Sequence, residues 1–211
     1  MGRVGTIHNS DWRDGFLFVG NQLALDFLNT CPVQNGVSTE LLADFEALLR
    51  WFQAAEVLSP AQVAGLSQQW GRSAQARQTV EAMRGLRERL RKELLAWEHG
   101  GTVRQMAIDE LNQLMAEHPM LTRLKTRGHA SSTELWFDPR RPERLFAPLA
   151  HSAATLFAST DRNRVRKCAQ CVLHFYDTSK KRTRRWCSMQ LCGNRLKVAT
   201  YAARRRTRSR H

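Results

Sequence analysis

The apolar positions of this chain change period several times, and each change marks an element. Phe16, Leu17, Phe18 and Val19 form a short apolar run before Gly20, which predicts a strand. Leu23, Leu25, Phe27 and Leu28 predict a helix, with Asn21 placed to cap it. Residues 30–38 read as a loop that turns at Asn35-Gly36. From Thr39 onward, Leu41, Phe45, Leu48 and Phe52 recur at spacings of three and four, the mark of an amphipathic helix. Ser59-Pro60 is a helix start, since the missing N–H of proline costs nothing in a first turn. Ser73 opens a long helix whose stripe is Val80, Met83, Leu86, Leu90, Leu94 and Trp97, closed by Gly100-Gly101. Arg84, Arg87, Arg89, Arg91 and Lys92 lie mostly off that stripe, near Glu81, Glu88 and Glu93, and read as a solvated face. A helix from Thr102 turns Met106 or Ala107, Leu111 and Leu114 inward. Residues 121–127 and 132–138 then read as two strands of a hairpin around 128–131. Pro142 opens a last helix with Leu145, Leu149 and Phe157, running to about Ser159.

Past residue 160 the organising pattern is no longer hydrophobic. Cys168, Cys171, Cys187 and Cys192 read C-x-x-C, fifteen residues, then C-x-x-x-x-C. Two close pairs of thiols at this separation are a zinc signature: a C-x-x-C turn aims both sulfurs at one ion, and a second pair closes the tetrahedron. The other readings are a disulfide framework or four unrelated thiols, which a cytosolic setting disfavours. His174 is near enough to be an alternative ligand, but the quartet is complete without it. Residues 172–178 are expected to form a short hairpin after the metal knuckle, and Ser188 to cap a helix over 189–201. Cys31 is left over as a free thiol.

The stretch 186-WCSMQLCGNR-195 ends in Cys-Gly-Asn-Arg, and here the chain resembles the CGNR zinc-finger proteins. That family joins a C-terminal finger to an N-terminal domain called ABATE, whose opening motif 23-LALDFLNT-30 resembles. The resemblance implies a stress-induced transcription regulator with a first domain that senses or regulates. The predicted fold class is mainly α with a small β-hairpin (α+β). A helical N-terminal domain over 1–160 would precede a small treble-clef-like four-cysteine finger over 161–203. A basic tail over 204–211, too charged to pack, would follow.

Charge sharpens the picture. The chain of 211 residues carries a formal charge of +14. Residues 161–211 hold sixteen Lys+Arg against only Asp161 and Asp177, so residues 1–160 are net neutral. A field concentrated on one module is the footprint of a polyanion, most often nucleic acid; a solubility tail or a membrane-surface patch is the alternative. Lys180, Lys181, Arg182, Arg184, Arg185, Lys197, Arg204, Arg205 and Arg206 are phosphate-contact candidates. Asn194 and Arg195 follow the last ligand, where the metal fixes the backbone. Arg can read guanine and Asn adenine, or the two serve packing and phosphate.

The metal should be one structural zinc, because four thiolates leave no open position for a water. The first domain has no phosphate loop, paired-histidine motif or nucleophile elbow, so no enzyme activity is expected. Asp26 and Asn29 are candidates for a ligand pocket there, Asp26 otherwise facing solvent or pairing with an arginine. Residues 1–15 lack an apolar run and no stretch reaches about 18 apolar residues, so a cytoplasmic protein without a membrane partner is expected. The leading expectation is a zinc-dependent DNA-binding regulator whose first domain dimerises or takes a small-molecule effector. RNA binding, a small-molecule enzyme with an accessory finger, and redox sensing through the thiolates are the alternatives.

Overall fold

A computed structural model describes residues 11–34, 37–128 and 130–193. Among these residues it is mainly helical with four small antiparallel hairpins. The first pairs β1 (Trp12–Arg13) with β2 (Phe16–Leu17) around Asp14 and Gly15, which have φ of 47° and 80°. Two successive positive φ values twist a two-residue turn to suit flanking strands, and Asp-Gly is a favoured pair for it. The expected strand at 16–19 is therefore the second arm of a hairpin.

Next comes α1 (Leu23–Leu28), six residues long and buried from Ala24 onward. Asn21 does not cap it. Asn21 sits at φ 60° and sends its side chain elsewhere, while Gln22 occupies the cap position without a side-chain bond. A helix this short is marginal alone. It is held by packing against α4 (Ala74–Glu98) and α6 (Phe146–Ser159) and against a strand of the C-terminal module.

Between α1 and α4, β3 (Val33–Gln34) and β4 (Val37–Ser38) pair across the Asn35-Gly36 step, whose residues lie outside the described ones. The helix expected from Thr39 begins at α2 (Phe45–Ala54), capped by Asp44, which accepts from Ala47 N at 2.8 Å. Residues 39–44 stay irregular because α4 claims them. Arg84 donates to the carbonyls of Leu42 and Ala43, and buried Arg87 bonds Glu40 and Thr30. The arginine face of α4 is thus partly an internal clamp. Ser59 and Gln62 form a reciprocal capping box on α3 (Pro60–Trp70), and Ser73 caps α4 as expected.

α5 (Gln105–Glu117) packs on α6, and its first-turn Met106 points out, 81% exposed. β5 (Leu121–Arg127) and β6 (Ala130–Trp136) form a hairpin with solvent on both faces. A 3₁₀ turn at Pro142–Leu145 leads into α6. The main core runs through α1, α2, α4 and α6, with Trp51 fully buried among Phe18, Phe27 and Phe52. No helix among the described residues is long and apolar enough to cross a membrane.

Asp26 does not face solvent. It is buried in α1, and its Oδ1 accepts from Gly20 N at 2.7 Å. A Cβ on Gly20 would lie 2.8 Å from Asp26 N, so the approach requires glycine. Burial pushes the Asp26 carboxyl up to about 7, against the opposing Gly20 amide and Arg13 charge. The folded state therefore holds this proton more tightly than the unfolded chain, and stability falls as pH rises from about 4 to 7. The group's contribution is up to about 4 kcal/mol. Asp26→Asn, which keeps an acceptor for Gly20, should flatten the urea-midpoint profile across that window. An unchanged slope would remove Asp26 as its source.

Candidate metal centre

The C-terminal module is built on a hairpin that spans the first cysteine pair. β7 (Val165–Lys167) pairs with β8 (His174–Tyr176) in the register Val165↔Tyr176 and Lys167↔His174. The first strand thus lies ahead of the first cysteine, and the hairpin is not confined to 172–178. Cys168 N donates to Leu173 O at 2.9 Å, closing the turn that carries Cys168 and Cys171. Gln170 N points at Cys168 Sγ at 3.5 Å. Ala169 N donates to Arg185 O at 2.9 Å and draws the second arm alongside. That arm ends in a π-helical turn, Met189–Gly193, where Cys192 N and Gly193 N both donate to Ser188 O at 3.0 Å. Ser188 Oγ accepts from Gln190 N and Leu191 N, the capping role expected of it. Gly193 is buried, and a Cβ there would press on the tip of the Met189 side chain rather than on backbone.

The four sulfurs lie within 4.8 Å of one another. Cys171 and Cys187 Sγ are 3.7 Å apart, as are Cys187 and Cys192 Sγ. A tetrahedron with Zn–S bonds of about 2.3 Å has edges of about 3.8 Å, so the quartet fits one structural zinc ion. Its acidity agrees. Bonds from Cys171 and Cys187 push the Cys168 thiol far down, and Cys171, which donates to it, is pushed up to about 12. Cys187 is raised by the same sharing, and Cys192 chiefly by burial. One thiolate is easily held among four thiols, whereas four thiolates together require a cation. His174 is not one of the group. Its ring lies on β8, with Nε2 3.2 Å from Glu98 Oε2.

The sulfurs sit in a small core of their own. Cys168, Cys187 and Cys192 pack with Leu173 and Phe175, and with Leu17 and Val19 from the N-terminal hairpin. Arg184 lies over the Phe175 ring at 4.5 Å and donates to the carbonyls of Trp186 and Cys187. Asp177, fully buried, accepts from Ser179 N at 2.9 Å and Arg184 N at 3.0 Å, fixing the 178–184 loop. Burial alone would raise its carboxyl; these bonds to the charged form hold it below the usual range.

Three polar ties along the β7–β8 hairpin join this module to the N-terminal part, and Ser188 Oγ donates to Asp11 Oδ2 as well. Asn29, 1% exposed, donates from Nδ2 to His174 O at 2.8 Å and accepts from His174 N at 3.0 Å. Glu98, the last residue of α4, accepts from Lys167 N at 3.0 Å and from the His174 ring. Burial tends to raise the Glu98 carboxyl, but His174 and the Lys167 amide outweigh it and hold it low. Around Gly20, Tyr176 N donates to Gly20 O at 2.8 Å while Asn21 Nδ2 donates to Tyr176 O at 2.9 Å. Asn29 and Asp26, expected in a ligand pocket, are therefore bonded within the protein.

Residues 21–160 match the model of the ABATE family, described as "putative stress-induced transcription regulator". The chain belongs to the ABATE family. Residues 164–205 match the CGNR zinc finger, the arrangement that Cys168–Arg195 led one to expect. No curated protein matches the chain. The two matches support a regulatory, zinc-binding protein. In this member the finger borrows Leu17 and Val19 from ahead of the matched ABATE segment. The Asp14-Gly15 turn is the sequence feature that marks the hairpin carrying them.

Lys180, Lys181, Arg182 and Arg185 are exposed, whereas Arg184 is committed inside the finger. Asn194, Arg195, Lys197, Arg204, Arg205 and Arg206 lie outside the described residues, as does most of the helix expected over 189–201.

Freshly purified protein should carry one zinc per chain by elemental analysis, and Cys168→Ser should lose it; iron or no metal would overturn the assignment. Asn29→Ala orphans two buried backbone groups and should cost about 2–4 kcal/mol. Hydrogen exchange should locate the loss at His174 and the finger rather than at α2 and α3. Uniform loss across the chain would mean that Asn29 supports the whole fold rather than the joint.

Proposed function

We propose that this protein is a zinc-dependent DNA-binding transcriptional regulator. In this reading residues 1–160 form the regulatory domain and 161–203 the finger. Cys168, Cys171, Cys187 and Cys192 hold the ion. The observation that carries it is the placement of the excess charge. Lys180, Lys181, Arg182 and Arg185 stand exposed on a loop pinned by buried Asp177, beside the metal cluster. Arg182 reaches Asp161 at 3.3 Å. Among the described residues, no acidic partner meets Lys180 or Lys181. A loop fixed in this way loses little entropy on meeting a phosphate backbone, and phosphate contacts set register without reading sequence. Any base reading would fall to Asn194 and Arg195, held next to the last cysteine, with Lys197 and Arg204, Arg205 and Arg206 adding phosphate contacts.

Competition between duplex DNA and structured RNA of equal charge tests the reading directly; preference for RNA would replace it with an RNA-binding role. If about six phosphates are contacted, log affinity should fall against log salt with a slope of roughly −5. Lys180→Ala and Lys181→Ala should each flatten that slope by about 0.9 without changing the melting temperature. Arg184→Ala should lower the melting temperature, because its partners are the finger's own carbonyls and Phe175. A slope unmoved by either lysine would take the loop out of the DNA interface.

A further inference from the structure

A solvent-reachable apolar cavity of about 430 Å³ lies between the end of α4, α5 and α6. That size lies within the usual range for small-molecule sites, about 300–1,000 Å³. Trp97, Val103, Ile108, Leu111 and Phe157 are its large apolar lining residues. Trp97 and Phe157 meet edge to face, with centroids 5.7 Å apart and planes at 83°. The uncharged polar groups at the cavity are Thr102 and Asn112, and both are exposed. Its single charged lining residue is Arg162, whose guanidinium lies over the Trp97 ring at 5.1 Å. Among the described residues no carboxylate pairs with Arg162; its neighbour Asp161 is taken by Arg164 and Arg182. A guanidinium stacked on an aromatic face keeps its N–H fork free at its edge, the geometry that grips a carboxylate.

We propose that this cavity is a binding site for a small apolar carboxylate, aromatic or branched, whose acid group pairs with Arg162 while its body packs on Trp97, Leu111 and Phe157. An apolar chamber with one cation and no acid selects that class. A neutral hydrocarbon would leave Arg162 unused, and a polar anion such as acetate would leave the apolar wall wet.

The position of the site gives it a route to the finger. Arg162 begins a 3₁₀ turn, Arg162–Arg164, that runs straight into β7 and, through Lys167, to Cys168. On the other wall, Trp97 is followed by Glu98, which bonds Lys167 N and the His174 ring. A ligand that fixes Arg162 against Trp97 therefore braces both ends of one connection: the strand that carries the first metal-binding cysteine and the helix end that holds it. This regulatory consequence rests on the DNA-binding reading; occupancy of the cavity does not.

The test uses the full-length zinc-loaded chain and 1-naphthylacetate as probe, with 1-naphthylacetamide and acetate as controls, by calorimetry and ligand-observed NMR. The acid should bind at least about tenfold more tightly than the amide, consistent with a charge-assisted bond, and acetate should not compete. Arg162→Gln should erase the preference for acid over amide. Ala158→Phe, at the exposed rim, should block both ligands while leaving the melting temperature unchanged, which covers the case in which the arginine variant misfolds. Equal binding of acid and amide, competition by acetate, or failure of the probe, phenylacetate and 3-methylbutyrate alike to bind would overturn the site. Exchange of amides 165–176 and duplex affinity are then read with and without probe. Binding that moves neither keeps the site and ends its role as a regulator of the finger. An absence of duplex binding under all conditions strikes the DNA-binding reading and leaves the site standing.

Discussion

The joint between the two matched segments rests on one side chain reading one residue's backbone. The amide of Asn29 is the right length to satisfy both the N–H and the C=O of His174, and it does so where water does not reach. A net hydrogen bond in water is worth about 0.5–1.5 kcal/mol, but the unmade bond in a buried site costs more, so the pair matters mainly for what it forbids. β8 cannot slide against α1 by one residue without stranding both groups. Glu98 repeats the logic at the same register, gripping the amide of Lys167 and the ring of its strand partner His174. Gly20 and Asn21 repeat it at Tyr176. Three successive ties along one short hairpin make the finger's base an extension of the helical core, and Val165 and Tyr176 pack into that core accordingly.

The rest of the finger has a different source of stability. Its own apolar cluster is a handful of residues, well short of what a module of this size needs, and a metal is the usual remedy. Zinc contributes on the order of 10–16 kcal/mol in comparable peptides at neutral pH. The hairpin of β7 and β8 is thus stabilised from two sides, by docking to α1 and α4 and by the ion beyond it. Stabilities that share an element are not independent: whatever tightens the joint also pre-orders the first cysteine pair, and metal binding returns the favour to the joint by the same amount.

The chemistry of the centre was legible in the sequence, because ligand spacing is local and a thiol has few other uses in such a pattern. So was α4, with its full stripe, its Ser73 start and its glycine stop, and so was the start of α3 at Ser59-Pro60. What escaped was decided by distant partners. Asn21 looked like a helix cap, yet its amide is used 155 residues away at Tyr176. The stretch after Thr39 has helical periodicity, but Arg84 on α4 takes its carbonyls and the helix waits for Asp44. Asp26 and Asn29 were recognisable as polar residues inside an apolar motif. No local rule could say that one would bind its own chain's turn and the other a strand of the finger. The strand at 165–167 had no hydrophobic pattern to mark it, since it is apolar only at Val165.

The basic residues of the finger show why charge alone is a poor map of an interface. Nine Lys+Arg fall between 161 and 193. Arg164 is spent on the carbonyls of Asp177 and Ser179, Arg166 on the carbonyl of Arg182, and Arg184 on those of Trp186 and Cys187. Such guanidinium bonds to carbonyl oxygens are how a chain with few acids can shape its loops. They use the planar fork of arginine, which lysine lacks. Lysines in the same module stand clear of these bonds, with Lys180 and Lys181 exposed at the loop. The chemistry suits the planar guanidinium to gathering carbonyls, whereas a flexible, strongly hydrated ammonium stays in solvent. The charge left free for any partner is therefore a subset of the charge in the sequence, chosen by which cations the fold has already used.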